Sequence, residues 1–298
     1  MAEISAKDVK ALRDQTGAGM MDCKSALVDA SGDVDKAVEL LRERGLSKAG
    51  KRAGRETSEG AIGIALDGEN ASIIELGCET DFVAKTDDFQ SLTNDIAGVV
   101  ARDASVQGPA EALAAVLQDG TIEDRIKAHV AKLGENIELK RVARIAVDGI
   151  TGGYVHGGGK LGVIVALACE SAAPELDELA KDLAMHVAAS DPAPVAVDRT
   201  GVSAEFVEKE RELLRREAEH SGKPANVIDR IVEGRIGKFY ADHCLLEQPF
   251  VKDPDRSVQD RVKEAAQSVG QQLSVTGFTR FLLGESGESG ESGETSET

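Results

Sequence analysis

The sequence of 298 residues predicts an α+β protein. A hairpin pattern followed by an amphipathic helix pattern occurs twice in the middle of the chain, which is typical of small antiparallel sheets covered by helices. Three short helical patterns precede the first copy, and a charged helical hairpin pattern interrupts the second. These observations predict helical segments attached to a duplicated core.

Residues 1–46 are predicted to form three short helices around one small core. Ser5 and Asp8 have the spacing of a helix N-cap and its third residue, which places the start of the first helix. The residues expected to face the core in the second and third helices are Met20, Cys23, Leu27, Val34, Ala37, Val38 and Leu41. Residues 47–58 carry four basic side chains without an apolar period and are expected to be a flexible linker.

The rest of the chain is predicted to contain one α+β unit in two copies. The first copy is residues 59–148, and the second is residues 149–200 together with 246–284. Each copy is expected to contain a hairpin, a helix and a closing strand, and the hairpins should turn at the Asp-Gly pair of 67–68 and at residues 157–159. In that order, the predicted segments are 60–78, 88–101 and 137–147 in the first copy, and 152–169, 174–189 and 275–283 in the second.

The insertion in the second copy, residues 201–245, is predicted to be an antiparallel helical hairpin. Its two apolar stripes are expected to cover each other, and its outer faces are dense in charge, so we expect it to protrude. Residues 285–298 form a Gly-Glu-Ser repeat, whose low hydrophobicity predicts a disordered acidic tail.

Charge and composition argue against several classes of function. The chain has 53 acidic and 35 basic residues, a formal net charge of −18, so its surface repels nucleic-acid phosphates and anionic membranes. Aromatic residues are 3% of the chain, too few for a platform that stacks single-stranded nucleic acid. The four cysteines lack C-x-x-C spacing, which gives no support for a zinc or redox site and is typical of a reduced, cytoplasmic protein. We expect no signal peptide and no membrane span.

No residue pattern predicts an active site, so we expect no enzyme activity, no metal and no cofactor. The Gly-Ala-Gly segment at 17–19 lacks the third glycine and the preceding strand of a dinucleotide-binding fingerprint. The Gly-Gly-Lys segment at 158–160 lacks the first glycine and the Ser/Thr of a phosphate-binding loop, so a hairpin turn is the expected structure. His156, beside that turn, has no nucleophile or carboxylate set around it in the sequence.

The segment after the first hairpin, residues 78–84, is unusual because it reads Cys-Glu-Thr-Asp-Phe-Val-Ala. Thr80 or Asp81 has the chemistry of a turn cap, and composition alone favours a buried Phe82, since large aromatic side chains are usually buried. The second copy has Ser-Ala-Ala-Pro at residues 171–174, so the architecture does not require a phenylalanine there. An exposed Phe82 beside an acidic residue would instead enter a partner as a wedge.

Several motifs resemble those of the bacterial elongation factor Ts family. The two most specific lie within residues 9–24, as Val-Lys-Ala-Leu-Arg and Thr-Gly-Ala-Gly-Met-Met-Asp-Cys-Lys, and at residues 75–84, as Glu-Leu-Gly-Cys-Glu-Thr-Asp-Phe-Val-Ala. Shorter matches lie at residues 134–137, 185–189, 232–235 and 248–251. The resemblance runs from residue 1 to about residue 283.

This resemblance implies an N-terminal ubiquitin-associated-like domain, a duplicated α+β core and an inserted antiparallel coiled-coil hairpin. It also implies a guanine nucleotide exchange factor for elongation factor Tu, the GTPase that delivers aminoacyl-tRNA, with no cofactor and no covalent chemistry. The family's Asp-Phe loop enters between helices of the GTPase and disturbs its Mg²⁺ and phosphate pocket. The resemblance assigns to the partner contact the loop residues Thr80, Asp81, Phe82 and Val83, and also Leu133, Gly134 and His156, which would line the same contact. It adds the N-terminal Met20, Met21 and Lys24, and Val251 and Lys252 of the second copy.

Two other classes of function stay open at this point. In a ubiquitin-associated-type adaptor, residues 1–46 would bind a partner helix without exchange activity, which leaves the duplicated core without a role. A small-molecule enzyme would use His156 and the glycine turn, but the sequence offers no nucleophile and base to join them. The sequence also leaves open a homodimer, or a complex of two copies with two partner molecules, formed through the helical hairpin.

Overall fold

The structure of the chain is a computed structural model, and the residues that it describes are 4–52, 54–220 and 224–285. For residues 46–49 and 51 it describes the backbone alone. The predicted hairpin-turn residues 221–223 and the predicted tail from residue 286 onward lie outside the described residues.

Helices and strands alternate along the described chain as in an α+β protein. The N-terminal part contains α1 (Ala6–Thr16), α2 (Met20–Asp29) and α3 (Val34–Arg52). The predicted first core copy contains β1 (Glu59–Asp67), β2 (Asn70–Cys78), α4 (Asp81–Ala84), α5 (Asp87–Arg102), α6 (Pro109–Ala114), β3 (Val116–Leu117), β4 (Gly120–Thr121), α7 (Ile122–Leu133) and β5 (Ile137–Ala146). The remainder contains β6 (Gly149–His156), β7 (Leu161–Ala168), α8 (Pro174–Ala189), α9 (Ala204–Glu219), α10 (Ala225–His243), β8 (Pro249–Phe250), β9 (Asp253–Ser257), α11 (Val258–Val269) and β10 (Ser274–Leu282), with 3-10 turns at Arg199–Gly201 and Leu245–Glu247.

Two three-stranded sheets share one strand order. In each, the second strand of a hairpin lies in the middle and a later strand closes the far side, which gives β1-β2-β5 and β6-β7-β10. In the second sheet both pairings are antiparallel, with Tyr154 opposite Val163 and Phe278 opposite Val165. The two-stranded pairs β3-β4 and β8-β9 were not predicted from the sequence. The α+β prediction is confirmed, and the repeated strand order supports a duplicated core.

The chain divides into two compact units. They comprise the described residues of 1–63 with 74–142, and those of 64–73 with 143–298. In the first unit, Leu12, Cys23 and Leu27 lie at the centre of the cluster that holds the three N-terminal helices together. In the second unit, Val165 of β7 and Leu183 of α8 belong to one large apolar core. Each unit therefore has its own buried apolar core.

Matching glycines support the predicted correspondence of the two copies. Gly60 in β1 and Gly149 in β6 both have positive φ, and a Cβ on either would collide with the neighbouring strand. Three residues further on, α5 and α8 approach the sheet at Gly63 and Gly152, where a Cβ would lie 2.6 and 2.4 Å from the packed helix. The second hairpin thus begins at Gly149, before the predicted start at residue 152. Its loop at 157–160 is longer than the two-residue loop of the first hairpin, so its first strand lies further along the chain from the cysteine at the end of the hairpin.

The N-terminal helices begin largely where the sequence predicts. The Ser5 hydroxyl accepts the backbone N–H of Asp8 at 3.2 Å and the Asp8 carboxylate accepts in return, which confirms the predicted cap. Met20 and Val34, predicted to face the core, are instead 46% and 43% exposed. Each is the first residue of its helix, so its side chain points back beyond the end of the helix and away from the core.

The predicted linker at residues 47–58 is partly helical, because α3 continues to Arg52. Lysine, arginine and alanine are good helix formers, so this segment extends the helix without an apolar period.

The first hairpin turns at Gly68-Glu69, one residue later than predicted. The sequence pattern thus located these elements correctly and missed some of their ends.

Helices α9 and α10 pack against each other as an antiparallel pair. Arg215 near the end of α9 forms an ion pair with Asp229 near the start of α10 at 2.9 Å, which fixes the direction of the pairing. Ile228 is buried between the helices, but Phe206 and Leu213 are 41% and 47% exposed. The expectation that the two apolar stripes cover each other is therefore only partly correct, since α9 keeps an exposed apolar edge.

Candidate functional site

A single helical turn, α4, comes after the end of β2 and carries the most exposed large apolar side chain among the described residues. Phe82 is 81% exposed, whereas Val83 and Ala84 are buried. The expectation of a buried ring, drawn from composition, is wrong because the turn points residue 82 to solvent while the next two residues fill the core. Residues 80–84 are named the aromatic turn. Leaving a phenylalanine side chain in water forgoes about 1.5–3 kcal/mol of burial free energy, which a contact with a partner would recover.

Thr80 caps the aromatic turn, and Glu135 fixes the cap. The Thr80 Oγ1 accepts the backbone N–H of Val83 at 3.4 Å. The Glu135 carboxylate accepts both the backbone N–H of Thr80, at 2.9 Å, and its hydroxyl, at 2.6 Å. Glu135 comes directly after Gly134, which ends α7 in the left-handed conformation at φ 84°. Hydrogen bonds to a charged group contribute about 1.5–3 kcal/mol, so the start of the turn is firmly held.

Glu79 anchors the strand end just before the turn. Its Oε1 accepts the backbone N–H of Asn136 at 2.7 Å, and Arg55 lies 3.4 Å from its other oxygen. The hydrogen bond from Asn136, and then the charge of Arg55, lower the pKa of Glu79, so the carboxyl is ionised at neutral pH. The Asn136 side chain also donates to the backbone oxygen of Arg55 at 2.8 Å. The base of the aromatic turn is therefore tied to two other segments of the first unit.

Cys78, the last residue of β2, plays a structural part in this arrangement. Its buried thiol donates to the backbone oxygen of Thr80 at 3.2 Å. Burial, and then the negative charge of Glu135, raise the pKa of Cys78 to about 12. Since the thiolate is the reactive form, this cysteine is not a nucleophile at neutral pH.

Asp81 lies beside the exposed ring and is paired. Its carboxylate forms an ion pair with Lys85 at 2.6 Å across the turn, and this hydrogen bond raises the pKa of Lys85. Both side chains are largely exposed, so the pair adds little to stability. It does neutralise charge next to Phe82, which lowers the desolvation penalty of placing the ring in an apolar partner.

The residues predicted to line the same contact are divided between the two units. Leu133 and Gly134 immediately precede Glu135, so the structure brings them to the base of the aromatic turn. Val83 is buried and supports the turn from within. His156 ends β6 in the second unit, where it is exposed.

Helix α2 presents the predicted N-terminal contact residues to solvent. Met21 is 74% exposed, and Met20 and Lys24 are also exposed. Cys23 and Leu27 on the other side of the helix hold it to the three-helix core. Methionine side chains are flexible and polarisable, which suits them to an apolar contact that adapts to a partner.

Val251 and Lys252 form the turn between β8 and β9 in the second unit. Val251 is 44% exposed, although its backbone N–H donates to Nδ1 of the buried His186 at 3.1 Å. Lys252 forms an ion pair with Asp182 at 2.6 Å. The turn is thus fixed by contacts to α8 while the valine side chain is left in water.

Sequence reasoning gave no structural role to four residues that hold these two turns through a backbone or a side-chain group. They are Glu135, Asn136, Asp182 and His186. The matched motifs at residues 134–137 and 185–189 contain Glu135, Asn136 and His186, so three of the four had a signal in the resemblance but no assigned role. Their contacts join segments that are far apart in the sequence, which a local pattern does not reveal.

Two kinds of feature are absent from the described residues. Within residues 4–52, 54–220 and 224–285, no group of three or more His, Cys, Asp or Glu side chains is arranged to hold a metal ion. In that same part of the chain, no helix is both long enough and apolar enough to cross a membrane. The exposed large apolar side chains include the ring of Phe82 on the held turn, Met20 and Met21 of α2, and Val251.

Comparison with known proteins identifies the family. A family model described as Elongation factor TS matches residues 79–285, which include the aromatic turn. The Elongation factor Ts of Prosthecochloris aestuarii is 47% identical over 290 residues, covering 95% of this chain and 100% of the relative. The chain belongs to the elongation factor Ts family. Elongation factor Ts proteins of Nitratiruptor sp. and Clostridioides difficile are 45% and 44% identical over 288 residues, covering 95% and 96% of this chain and 93% and 94% of the relatives.

Membership of the elongation factor Ts family makes the chain a protein of translation elongation. The family resemblance inferred from the motifs at residues 9–24 and 75–84 is thereby confirmed. The partner-contact residues carried over with it stay predictions, which the geometry of the aromatic turn and of the β8–β9 turn makes testable.

Proposed function

We propose that the chain is a guanine nucleotide exchange factor for elongation factor Tu, and that its Asp81–Phe82 turn promotes release of GDP. The observation that carries the proposal is the 81% exposed ring of Phe82 on a turn whose next two residues are buried and whose cap, Thr80, is held by Glu135. A turn whose cap is already held presents its ring to a partner at a lower entropic cost than a loose segment would. In the proposed complex it enters between helices of the GTPase and displaces groups around the Mg²⁺ ion and the phosphates.

The physical basis of the proposed activity is linkage between two binding equilibria. A factor that binds the nucleotide-free GTPase more tightly than the GDP form weakens GDP binding by the same ratio. Equal affinity for both forms would shift nothing. Because Mg²⁺ requires near-ideal octahedral coordination, a small displacement of its surroundings suffices to weaken the hold on the phosphates. The factor itself needs shape and binding energy rather than reactive groups.

The other predicted residues are proposed to supply binding energy for the complex. We propose that the three N-terminal helices are the ubiquitin-associated-like module of the family, and that their exposed methionines hold the GTPase domain. The proposed contacts are Met20, Met21 and Lys24 from α2, Leu133 and Gly134 beside the aromatic turn, His156 at the end of β6, and Val251 and Lys252 from the second copy. Since translation elongation takes place in the cytoplasm, we propose that location for the chain.

An adaptor without exchange activity is the second candidate, and one observation favours it. The exposed Met20 and Met21 would serve a helix-binding adaptor as well as they serve an exchange factor. An adaptor, however, has no use for an exposed ring held on a separate turn. The exchange factor accounts for both features.

The test mixes the full chain with elongation factor Tu loaded with a fluorescent GDP and monitors release of the nucleotide by stopped flow. An exchange factor accelerates release with increasing concentration of the chain until the rate saturates. A chain that is retained by the GTPase in a pull-down but leaves release at its spontaneous rate would be an adaptor, and the proposal would be wrong. A homodimer through α9 and α10 stays a prediction, which sedimentation equilibrium checks.

A further inference from the structure

One face of α8 holds both residues of the turn between β8 and β9. Asp182 and His186 are four residues apart, so their side chains lie on the same face of the helix. The His186 Nδ1 accepts the backbone N–H of Val251 at 3.1 Å, and the Asp182 carboxylate pairs with the Lys252 ammonium at 2.6 Å. The turn is therefore fixed once through its backbone and once through a side chain.

The His186 ring is held in one tautomer. Because Nδ1 accepts the N–H of Val251, the ring proton is on Nε2, which lies 3.0 Å from Oε1 of Gln248. The Gln248 amide donates to the backbone oxygens of Pro192 and Asp242 at 3.1 and 2.6 Å, which fixes its own orientation. Burial lowers the pKa of His186, so the neutral ring that this network requires is present at pH 7.

This network orders the backbone of the turn and leaves Val251 in water. His186 is 1% exposed and stacks on Phe250 with ring centroids 5.9 Å apart, while the adjacent Val251 is 44% exposed. The Lys252 ammonium is already paired, so the turn presents an apolar side chain rather than a free cation. Buried polar networks that are fully satisfied make a segment rigid, and here the rigid segment ends in an exposed valine.

We propose that Asp182 and His186 are positioning residues for nucleotide exchange, which hold the Val251–Lys252 turn so that Val251 contacts the GTPase. This inference rests on the proposed function, in which Val251 belongs to the partner contact. Neither residue touches the partner, and both act through the turn. An ordered turn lowers the entropic cost of association, so loss of either contact weakens binding and leaves the release rate at saturation unchanged.

Two substitutions separate the two nitrogens of the His186 ring. His186→Asn keeps an acceptor at the position of Nδ1, whereas His186→Gln keeps a polar group only at the position of Nε2. We expect His186→Gln to raise the half-saturating concentration of the chain for GDP release about tenfold, and His186→Asn to raise it by less than about threefold. The maximal release rate is expected to be unchanged in both variants. Equal effects of the two substitutions would contradict the inference.

Coupling to Val251 distinguishes positioning from a general loss of structure. Val251→Ala removes the proposed contact, so adding His186→Gln to it should raise the half-saturating concentration no further. Effects that add in the double variant would overturn the inference. His243→Gln is the matched control, because His243 is a half-buried histidine on α10 that stacks on Phe239 at 4.4 Å, and it should leave exchange unchanged.

A second pair of variants covers the case in which His186→Gln does not fold, as judged by circular dichroism. Asp182→Asn keeps the shape of the side chain and removes the charge that pairs with Lys252, and we expect a rise of about threefold that disappears in the Val251→Ala background. Additive effects would overturn the inference here as well. If the unaltered chain does not accelerate GDP release at all, the proposed function and this inference fall together, whereas normal release with additive variants overturns the inference alone.

Discussion

In the first core copy Glu135 accepts two hydrogen bonds from Thr80, and in the second copy Gln271 makes two hydrogen bonds with Ser171. Thr80 and Ser171 each lie two residues after the buried cysteine at the end of a hairpin. Glu135 and Gln271 each come after a left-handed glycine that ends a helix, α7 in one copy and α11 in the other. The two contacts therefore correspond in position, and they differ in that one uses a carboxylate and the other an amide.

The hydrogen bonds of the backbone after each hairpin also differ. A carboxylate only accepts, so Glu135 makes no bond to the backbone oxygen of Thr80, which accepts the Cys78 thiol and also the N–H of Ala84 at 3.2 Å, closing the aromatic turn. Gln271 accepts the N–H of Ser171 at 2.9 Å and also donates to its backbone oxygen at 2.8 Å. A backbone oxygen has two lone pairs, so this hydrogen bond alone does not prevent a helical turn. Residue 174, three positions after Ser171, is a proline without an N–H, so Ser171 cannot form the cap that Thr80 forms with Val83. The comparison teaches that corresponding positions differ both in the side chain that holds them and in the cap that the following residues allow.

The largest expected effect comes from removing the ring that the second copy lacks. Phe82→Ala should lower stimulated GDP release about 30-fold, which corresponds to ~2 kcal/mol for a contact at the centre of an interface. The free energy of unfolding should change by less than about 0.5 kcal/mol, because the ring is not packed in the free chain. Stopped-flow release of fluorescent GDP and urea unfolding measure the two quantities.

The control for Phe82→Ala is Phe206→Ala on α9, which removes another partly exposed ring far along the chain. It should leave release at the level of the unaltered chain. An unchanged release rate for Phe82→Ala, with a normal circular dichroism spectrum, would refute the wedge role of the aromatic turn.

The next effect tests the carboxylate against the amide. Glu135→Ala frees Thr80 and should lower stimulated release about tenfold, since hydrogen bonds to a charged group are lost from the start of the turn. Glu135→Gln, which supplies the group that the second copy uses, should fall between the unaltered chain and Glu135→Ala. Gln271→Ala removes the corresponding contact of the second copy and should leave release unchanged. If Gln271→Ala lowered stimulated release as much as Glu135→Ala, the Glu135–Thr80 and Gln271–Ser171 contacts would not differ in function.

A smaller effect concerns the glycines that place these two residues. Gly134 and Gly270 have φ values of 84° and 70°, and an added Cβ would meet no atom within 4 Å at either position. Gly134→Ala and Gly270→Ala should therefore each lower the free energy of unfolding by about 1 kcal/mol through backbone strain alone. Urea unfolding should give similar losses in the two variants, whereas stimulated release should fall only in Gly134→Ala. Unequal losses of unfolding free energy would mean that the ends of α7 and α11 differ in structure as well as in function.

The smallest expected difference is in the reactivity of Cys78 and Cys169, the two free cysteines at corresponding positions in the predicted copies. Burial raises the pKa of both thiols, and that of Cys78 reaches about 12, so at pH 8 its thiolate fraction is on the order of 10⁻⁴. Cys78 is fully buried, whereas Cys169 is 8% exposed. Alkylation of the folded chain at pH 8, with peptide mass spectrometry as the readout, should modify Cys169 before Cys78. Faster modification of Cys78 would show that the segment around Cys78 opens more readily than the segment around Cys169.

The sequence predicted the features that depend on a local pattern. Helix α8 was expected at residues 174–189 and is observed there, because a proline start and a regular apolar period mark its ends. The Ser5 cap and the strand β10 were likewise located to within one residue. The duplicated order of hairpin, helix and strand came from the same signals, so the fold class was accessible from the sequence.

The sequence did not predict what depends on contacts between distant segments. Whether Phe82 points inward is decided by which neighbours fill the core, and Val83 and Ala84 take that place. The hydrogen bonds of Glu135 to Thr80 and of His186 to Val251 span 55 and 65 residues, beyond the reach of any periodic pattern. The partner-contact residues came from the resemblance alone, and exchange measurements have to decide them.

Glu135 lies more than fifty positions after Phe82, yet it shapes the turn that carries the ring. During synthesis, the aromatic residue therefore emerges well before the carboxylate that orders its surroundings. A fragment that ends before residue 135 would lack the two hydrogen bonds that hold Thr80. The aromatic turn is thus held only once residue 135 has been added, when most of the first unit has already been synthesised.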